Sequence, residues 1–391
     1  MNYRSVSVIG IGETKMGRLP DRSLRDLIAE AGNAAIADAG IDKSLIQALY
    51  MGNFNAQYLA FQGHMGSLAA EVLGLRNIPT VRTEGACASG SLALRQAVIA
   101  VQSGLYDVVL VGGAEKMTHR DTETVTTGIA SAGDFELEAS VGVTFPSVFA
   151  MIANRYFYEY GNAREAMAAV AVQNHANGAL NPDAQMQKEI TLQKVYDGVK
   201  ISDPLTVFDC SLVTDGSAFI VVAATEVAKK ITKQKIIEII GSGHAGDYIT
   251  AAQKESLTTF AATINAAKEA YTMAKVTPQD IDLAEVHDCF TITQIINTED
   301  LGFFPKGKGP EAVLTGKTAR VGGVVAINPS GGLKAKGHPI GATGISQVFE
   351  VVKQLRGEAG PRQVPNAKIG LTHNIGGTAA TCVVHIFREA K

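Results

Sequence analysis

The chain is short of charge. Of its 391 residues only 19% are Asp, Glu, Lys or Arg, while 46% are apolar. Ordinary soluble proteins carry about 25% charged residues. Disorder is excluded, because disordered chains are apolar-poor and charge-rich. Sparse charge implies much internal packing or a subunit interface. There is no basic run, and 35 basic against 38 acidic residues leave a net charge of −3, so no nucleic-acid-binding face is expected. No apolar stretch approaches the ~18 residues of a membrane span before Gly, Asn or a charge breaks it. A signal peptide is not expected either, since Arg4, Glu13 and Lys15 punctuate what reads as a folded strand. Cysteine is scarce: Cys87, Cys210, Cys289 and Cys382 lie far apart, with no metal-type CxxC pair. The expectation is a cytoplasmic protein with reduced thiols and no metal site.

Glycine, by contrast, is abundant at 40 residues, and it punctuates two similar halves. The first opens with the strand VSVIGIG (6–12). A helix over 24–39 follows, with Ser23 as N-cap, Asp26 three residues on and Gly40 just past its end. Leu24, Leu27, Ile28, Ala31 and Ala35 form its apolar stripe. The next strand covers 48–54. The second half repeats the order with a strand at 236–243, a helix at 257–274 and a strand at 283–290. A Gly-rich turn into a buried helix occurs at 87–90 and again at 338–341. Glycine-ended apolar strands recur at 108–113 and 369–377, and closing strands at 218–223 and 381–387. Repeated strand–helix–strand units imply parallel sheets covered by helices. Residues 116–204 have no counterpart and read as an inserted subdomain near the site. The expected organisation is residues 1–119 plus 203–235 as one half, 120–202 as the insert and 236–391 as the other half.

Four places could carry chemistry. Cys87 in EGACASGS precedes a helix, where free N–H groups and the dipole favour thiolate; otherwise it is a buried structural cysteine. His338 in GLKAKGHPIGATG holds the matching place in the second half. Pseudo-twofold symmetry would bring the two helix starts together, and Cys plus His is the minimum for an activated nucleophile. His287 and Cys289 in VHDCF end a strand, where α/β sheets build their sites, and period two puts them on one side; the alternative is a core Cys with a capping His and Asp. His373 and Asn374 in THNIGGT end another strand, whose glycines offer N–H groups to an oxyanion or simply make a tight turn. Cys210 and Cys382 read as structural, and His64, His119, His175, His244 and His385 lack metal-ligand spacing.

Together CAS (87–89), HDCF (287–290), GHP (337–339) and HNIGG (373–377) resemble the thiolase family. HDCF in place of NEAF, and HNIGG in place of a CxG loop, resemble its sterol-carrier-protein branch. EGACASGSLALRQAV, GGAEKMT, GVTFPSVFAMIANR and DPLTVFDCSLVTDGSA are similar to segments of archaeal-type acetyl-CoA acetyltransferases over nearly the whole length. The resemblance implies an α/β fold of duplicated βαβ halves in a layered α-β-α-β-α core. It implies acyl transfer and Claisen condensation on coenzyme A thioesters, with acetyl-CoA and acetoacetyl-CoA as substrates and no cofactor. Cys87 would accept the acyl group and His338 activate it. Cys289 would move the α-proton and His287 hold a thioester oxygen. The backbone N–H of Cys87, with that of Gly376 or else Gly377, would form an oxyanion hole, in a loop that also carries His373 and Asn374. Ser89, Phe290, Gly142 and Thr144 would contact substrate, with 142–146 covering pantetheine. A homodimer or homotetramer is implied, and a hydroxymethylglutaryl-CoA synthase with a small acyl-CoA-binding bridging protein as partner. The alternatives are a ketoacyl synthase or hydroxymethylglutaryl-CoA synthase, a thiolase for longer 3-ketoacyl chains, or a non-catalytic acyl-CoA-binding scaffold. GHP with HDCF disfavours the first pair.

Overall fold

A computed structural model describes residues 3–390. Its strands are β1 (Val6–Glu13), β2 (Ala48–Gly52), β3 (Thr80–Thr83), β4 (Val108–Glu115), β5 (Lys200–Ser202), β6 (Leu205–Thr206), β7 (Gly216–Ala224), β8 (Ile237–Gly246), β9 (Leu283–Glu285), β10 (Ala326–Ile327), β11 (Ile369–Gly376) and β12 (Thr381–Glu389). The helices that matter for the site are α1 (Leu24–Ala39), α2 (Ser89–Gln102), α3 (Phe145–Tyr160), α4 (Arg164–Ala179), α5 (Ala261–Ala274), α6 (Thr291–Asp300) and α7 (Thr343–Arg356).

The duplication is real. Ten strands run in the order β10-β9-β11-β12-β8-β1-β7-β4-β2-β3. Read outward from the β1–β8 contact, the halves match strand for strand. That contact pairs Ser7 with Glu238 and Val8 with Ile237. Parallel sheets were expected; the sheet is mixed. β7 runs antiparallel to both β1 and β4, and β12 antiparallel to both β8 and β11. The cause is local. Residues 377–380 are too few for a crossover, so β11 and β12 can only form a hairpin.

Helix packing gives five layers. α1 covers the outer face of the first half, with Ile28, Ala31 and Ala35 against Ile9, Leu110 and Val221. α5 covers the outer face of the second half, with Ala262, Ala266 and Ala270 against Val384 and Ile386. α2 and α7 form the middle layer, where Ala97, Val98, Ile345 and Val348 meet Val111, Ile220 and Leu283. The Ser23 capping box and the left-handed Gly40 stand as read from the sequence. Two bounds differ. α5 begins at Ala261, after a turn in which the Asp300 carboxylate accepts the Phe260 N–H at 2.7 Å. β9 stops at Glu285, and 286–290 leaves the sheet.

Residues 116–215, between β4 and β7, build the insert. It packs on the opposite half: Phe149, Ile152, Tyr156 and Met167 share a core with Ile292, Ile295, Ile296 and Phe304.

The middle layer is closed by glycine. A Cβ on Gly90 would lie 2.9 Å from the Gly341 carbonyl oxygen, and one on Gly344 would overlap the Ser91 backbone nitrogen and Oγ. Glu115, fully buried, ties the two halves at the same level. Its carboxylate accepts the N–H groups of Phe54 (2.9 Å), Asn55 (3.1 Å) and Gly341 (3.0 Å). Gly344→Ala is therefore expected to cost about 1–3 kcal/mol by overpacking and to slow alkylation of Cys87. Urea denaturation and peptide-resolved labelling check both, and a wild-type labelling rate would show that this contact does not set the site.

Candidate active site

Cys87 sits in a single 3-10 turn, Ala86–Ala88, that runs into α2. Ala86 has φ of 50°, a conformation costly for a residue with a Cβ. Ser89 secures it: its hydroxyl donates to the Ala86 carbonyl at 2.6 Å and accepts the Gly85 N–H at 3.1 Å. Ser89 is thus turned to the backbone and is not among the residues lining the cavity.

His338 stands before the matching turn, Ile340–Ala342, of α7. Thr214 Oγ1 accepts its backbone N–H at 2.9 Å. Thr343 Oγ1 lies 2.7 Å from Nδ1 and donates to the Pro339 carbonyl at 3.2 Å. That leaves Thr343 to accept from Nδ1–H, so Nε2 carries the lone pair.

His287, Asp288 and Cys289 do not lie on a strand. Period two is not what gathers them; hydrogen bonds do. Asn328 Oδ1 accepts the Val286 N–H at 2.7 Å, Asn297 Nδ2 donates to the His287 carbonyl at 2.8 Å, and the Ser211 N–H donates to the Cys289 carbonyl at 2.8 Å. His287 and Cys289 both face the cavity. Asp288 faces away, accepting the N–H groups of Leu333 (2.7 Å) and Lys334 (3.2 Å) and the Asn174 amide (2.7 Å). Burial raises its carboxyl to about 6 in spite of these bonds.

The loop at 373–377 divides its labour. His373 is fully buried and points outward to Thr263 Oγ1 of α5 at 3.0 Å, while its Nδ1 accepts the His287 N–H at 3.3 Å. Asn374 points inward and donates to His287 Nδ1 at 2.9 Å, which places the proton on Nε2. Neither side chain lines the cavity; both position His287. Of the two glycines, Gly377 lines the cavity and directs its N–H at the Cys87 sulfur. Gly376 is packed against the Gly85 carbonyl, so of the two glycines it is Gly377 that presents its N–H at the cavity.

One atom each of Cys87, His287 and His338 converge within 4.8 Å of one another, and the two imidazoles meet edge to face at 5.2 Å. They form the floor of a cavity of about 220 Å³. Its walls include Cys289, Phe290, Thr144, Phe145, Met117 and Ile340. Phe290 stacks on Phe149 at 4.6 Å, and Thr144 caps α3. Gly142 is exposed at the end of a short turn outside this wall. Cys210, read as structural, is in the wall, because the strand bridge between Cys210 and Phe290 brings 210–213 over the site. Cys382 is core. The lining residues of the insert, Met117 and Ile129 among them, carry no sequence signal beyond apolarity, and Glu115 is a lone carboxylate that only the packing reveals.

Electrostatics reverse one expectation. Burial pushes the Cys87 thiol up to about 12, against the opposing hydrogen bond from Gly377. The helix start does not overcome desolvation. Burial lowers His338 to about 3 and takes His287 well below its usual range. Burial, and then the neighbouring Cys87, hold Cys289 well above an ordinary thiol. The resting site is an uncharged thiol beside a neutral base. Alkylation of Cys87 by iodoacetamide, followed by peptide mass spectrometry, should therefore rise about tenfold per pH unit from pH 7 to 9, as the thiolate fraction does. A plateau below pH 8 would instead reveal a standing thiolate–imidazolium pair.

Comparison with known proteins agrees with this geometry. Residues 6–204 match the family model "Thiolase, N-terminal domain", and residues 243–389 match "Thiolase C-terminal domain-like". The chain is 50% identical to an acetyl-CoA acetyltransferase of Methanothermobacter thermautotrophicus, covering 98% of this chain and 99% of that one. It is 47% identical to an acetyl-CoA acetyltransferase of Methanocaldococcus jannaschii, covering 99% and 100%. Sterol carrier protein 2 of Bos taurus is 36% identical over 95% of this chain and 70% of that protein. Among solved structures, an Ltp2–ChsH2(DUF35) aldolase superposes with a TM-score of 0.86 at 24% identity, covering 100% of this chain and 99% of that one. Human mitochondrial 3-ketoacyl-CoA thiolase in complex with CoA superposes with 0.76 at 19%, covering 99% and 98%. Both likenesses bear on the fold alone. With both family domains matched and whole-length relatives at about half identity, the chain belongs to the thiolase family and is an acyltransferase.

Proposed function

We propose that this acyltransferase condenses two acetyl-CoA molecules reversibly to acetoacetyl-CoA and CoA through an acyl-Cys87 intermediate. One observation carries the reading: a thiol and one ring nitrogen from each of two imidazoles converge within 4.8 Å at the floor of a small apolar cavity, with a second thiol in its wall. The acetyl-CoA acetyltransferase relatives support acetyl-CoA as substrate.

Cys87 Sγ attacks the thioester carbonyl while its proton passes to His338 Nε2. The N–H groups of Gly377 and Cys87 take the oxyanion, where preorganised donors act most strongly. The departing CoA sulfur takes the proton of Cys289. That step accounts for how a thiol held so far above its usual range becomes a base: the imidazolium formed at His338 offsets the new thiolate. Cys289 then removes the α-proton of the second acetyl-CoA. His287 Nε2–H, held by Asn374, donates to the enolate oxygen. The carbanion attacks acyl-Cys87, whose sulfur recovers its proton from His338. Every proton is returned, and no metal or redox cofactor enters the scheme.

The finer proposals follow from the same reading. The protein acts in the cytoplasm, feeding a mevalonate-type route. It works as a homodimer or homotetramer, and its partner is a hydroxymethylglutaryl-CoA synthase held by a small bridging protein.

Labelled acetyl-CoA is expected to acetylate the native protein and not Cys87→Ser. Cys289→Ala should keep that label and lose α-proton exchange and condensation by about 10²–10⁴-fold, the usual worth of a positioned acid–base group. His373→Ala should lose less, because it reaches the chemistry only through the His287 backbone. The opposite ranking would move the base to the 373–377 loop. Sedimentation at micromolar concentration should give a species at least twice the 41.1 kDa chain; a monomer alone would reject the assembly.

A further inference from the structure

The three innermost side chains have a second chemistry. A tetrahedral zinc site holds sulfur at about 2.3 Å and imidazole nitrogen at about 2.0–2.1 Å from the ion, so its ligand atoms stand roughly 3.3–3.6 Å apart. Cys87, His287 and His338 already offer one ligand atom each within 4.8 Å, so side-chain rotations on the order of 1 Å would close them on an ion.

The outer partners fit as well. A ligating histidine usually gives its other ring N–H to an acceptor. Thr343 Oγ1, at 2.7 Å, is that acceptor for His338 Nδ1. For His287 it is Asn374. Its Oδ1 is buried with no hydrogen-bond partner among the described residues, while its Nδ2 meets His287 Nδ1 at 2.9 Å. Turning the amide over presents Oδ1 to Nδ1–H and moves the lone pair to His287 Nε2, at no loss of any bond to Oδ1. The donor set selects the ion. One thiolate and two imidazoles suit zinc, whereas calcium and magnesium need oxygen ligands, and no Asp or Glu is among the residues lining the cavity.

We propose that Cys87, His287 and His338 form a zinc-binding site with its fourth position open to water, and that zinc reversibly blocks acyl transfer by occupying the nucleophile and its base. The inhibitory half of this proposal rests on the function proposed above; the binding half rests on geometry alone. Binding breaks the Cys87 S–H bond, forms a sulfur–zinc bond and releases the proton to buffer, with no change in oxidation state. Acylation and metal binding exclude one another, because each uses the same sulfur.

Cobalt(II) serves as the optical probe for the full-length protein. Titration should give one four-coordinate cobalt per chain, with a thiolate-to-metal charge-transfer band, and zinc should abolish the spectrum and protect Cys87 from iodoacetamide. Cys87→Ser, nearly isosteric, should lose the band while its unfolding curve stays near that of the parent. Asn374→Ala should weaken cobalt binding about 10–100-fold, as loss of an outer-shell partner does. Failure of the band to form, or a band that survives Cys87→Ser, would overturn the site. Labelled acetyl-CoA is tested on the same preparation. A label without a metal spectrum defeats the zinc site alone, and a metal spectrum without a label defeats the proposed reaction alone.

Discussion

Everything at this site depends on two helix starts that touch through glycine. Gly90 of α2 and Gly344 of α7 admit neighbouring backbone where a Cβ would collide. The buried Glu115 carboxylate then joins the halves by taking N–H groups from both. Because the turns carrying Cys87 and His338 precede these helices by a few residues, their separation follows directly from the glycine contact. A protein interior is close-packed and relaxes only partly around an intrusion, so the geometry is held by sterics as much as by hydrogen bonds.

Burial sets the electrostatics in turn. The same packing that aligns the groups removes their water, and desolvation favours neutral forms. Cys87, Cys289, His287 and His338 are all shifted toward neutrality. In the reaction proposed above, charge then develops only as the chemistry proceeds, and always in compensated pairs: an oxyanion against N–H donors, a thiolate against an imidazolium. A standing ion pair would have to be maintained at the cost of desolvating both partners.

The two halves do not contribute alike. The first supplies Cys87 and, through its insert, much of the cavity wall. The second supplies His338, His287 and the second thiol, Cys289. The insert leaves the first half between β4 and β7 and shares its apolar core with α6 and its neighbours in the second half. The cavity therefore lies where the two halves and the insert meet, which gives the duplicated fold a one-sided site.

The sequence by itself determined the duplicated halves, the cap and stop of α1, and four motifs bearing Cys87, His338, His287 and Cys289, since periodicity, glycine and capping residues act locally. It marked the 373–377 loop without sorting it. Whether His373 or Asn374 faced inward, and whether Gly376 or Gly377 offered its N–H to the sulfur, turned on strand register and on Gly377 adopting φ of 60°, which depend on what packs on each face. The mixed sheet was hidden because antiparallel β12 and a parallel strand share one apolar pattern. The resemblance implied a substrate contact at Ser89, yet its hydroxyl completes backbone hydrogen bonds to Gly85 and Ala86. Cys210 looked inert because its neighbour in space, Phe290, is eighty residues away in sequence. The protonation states were decided only by the tertiary structure, because desolvation depends on every atom enclosing a group and not on the residues beside it in the chain.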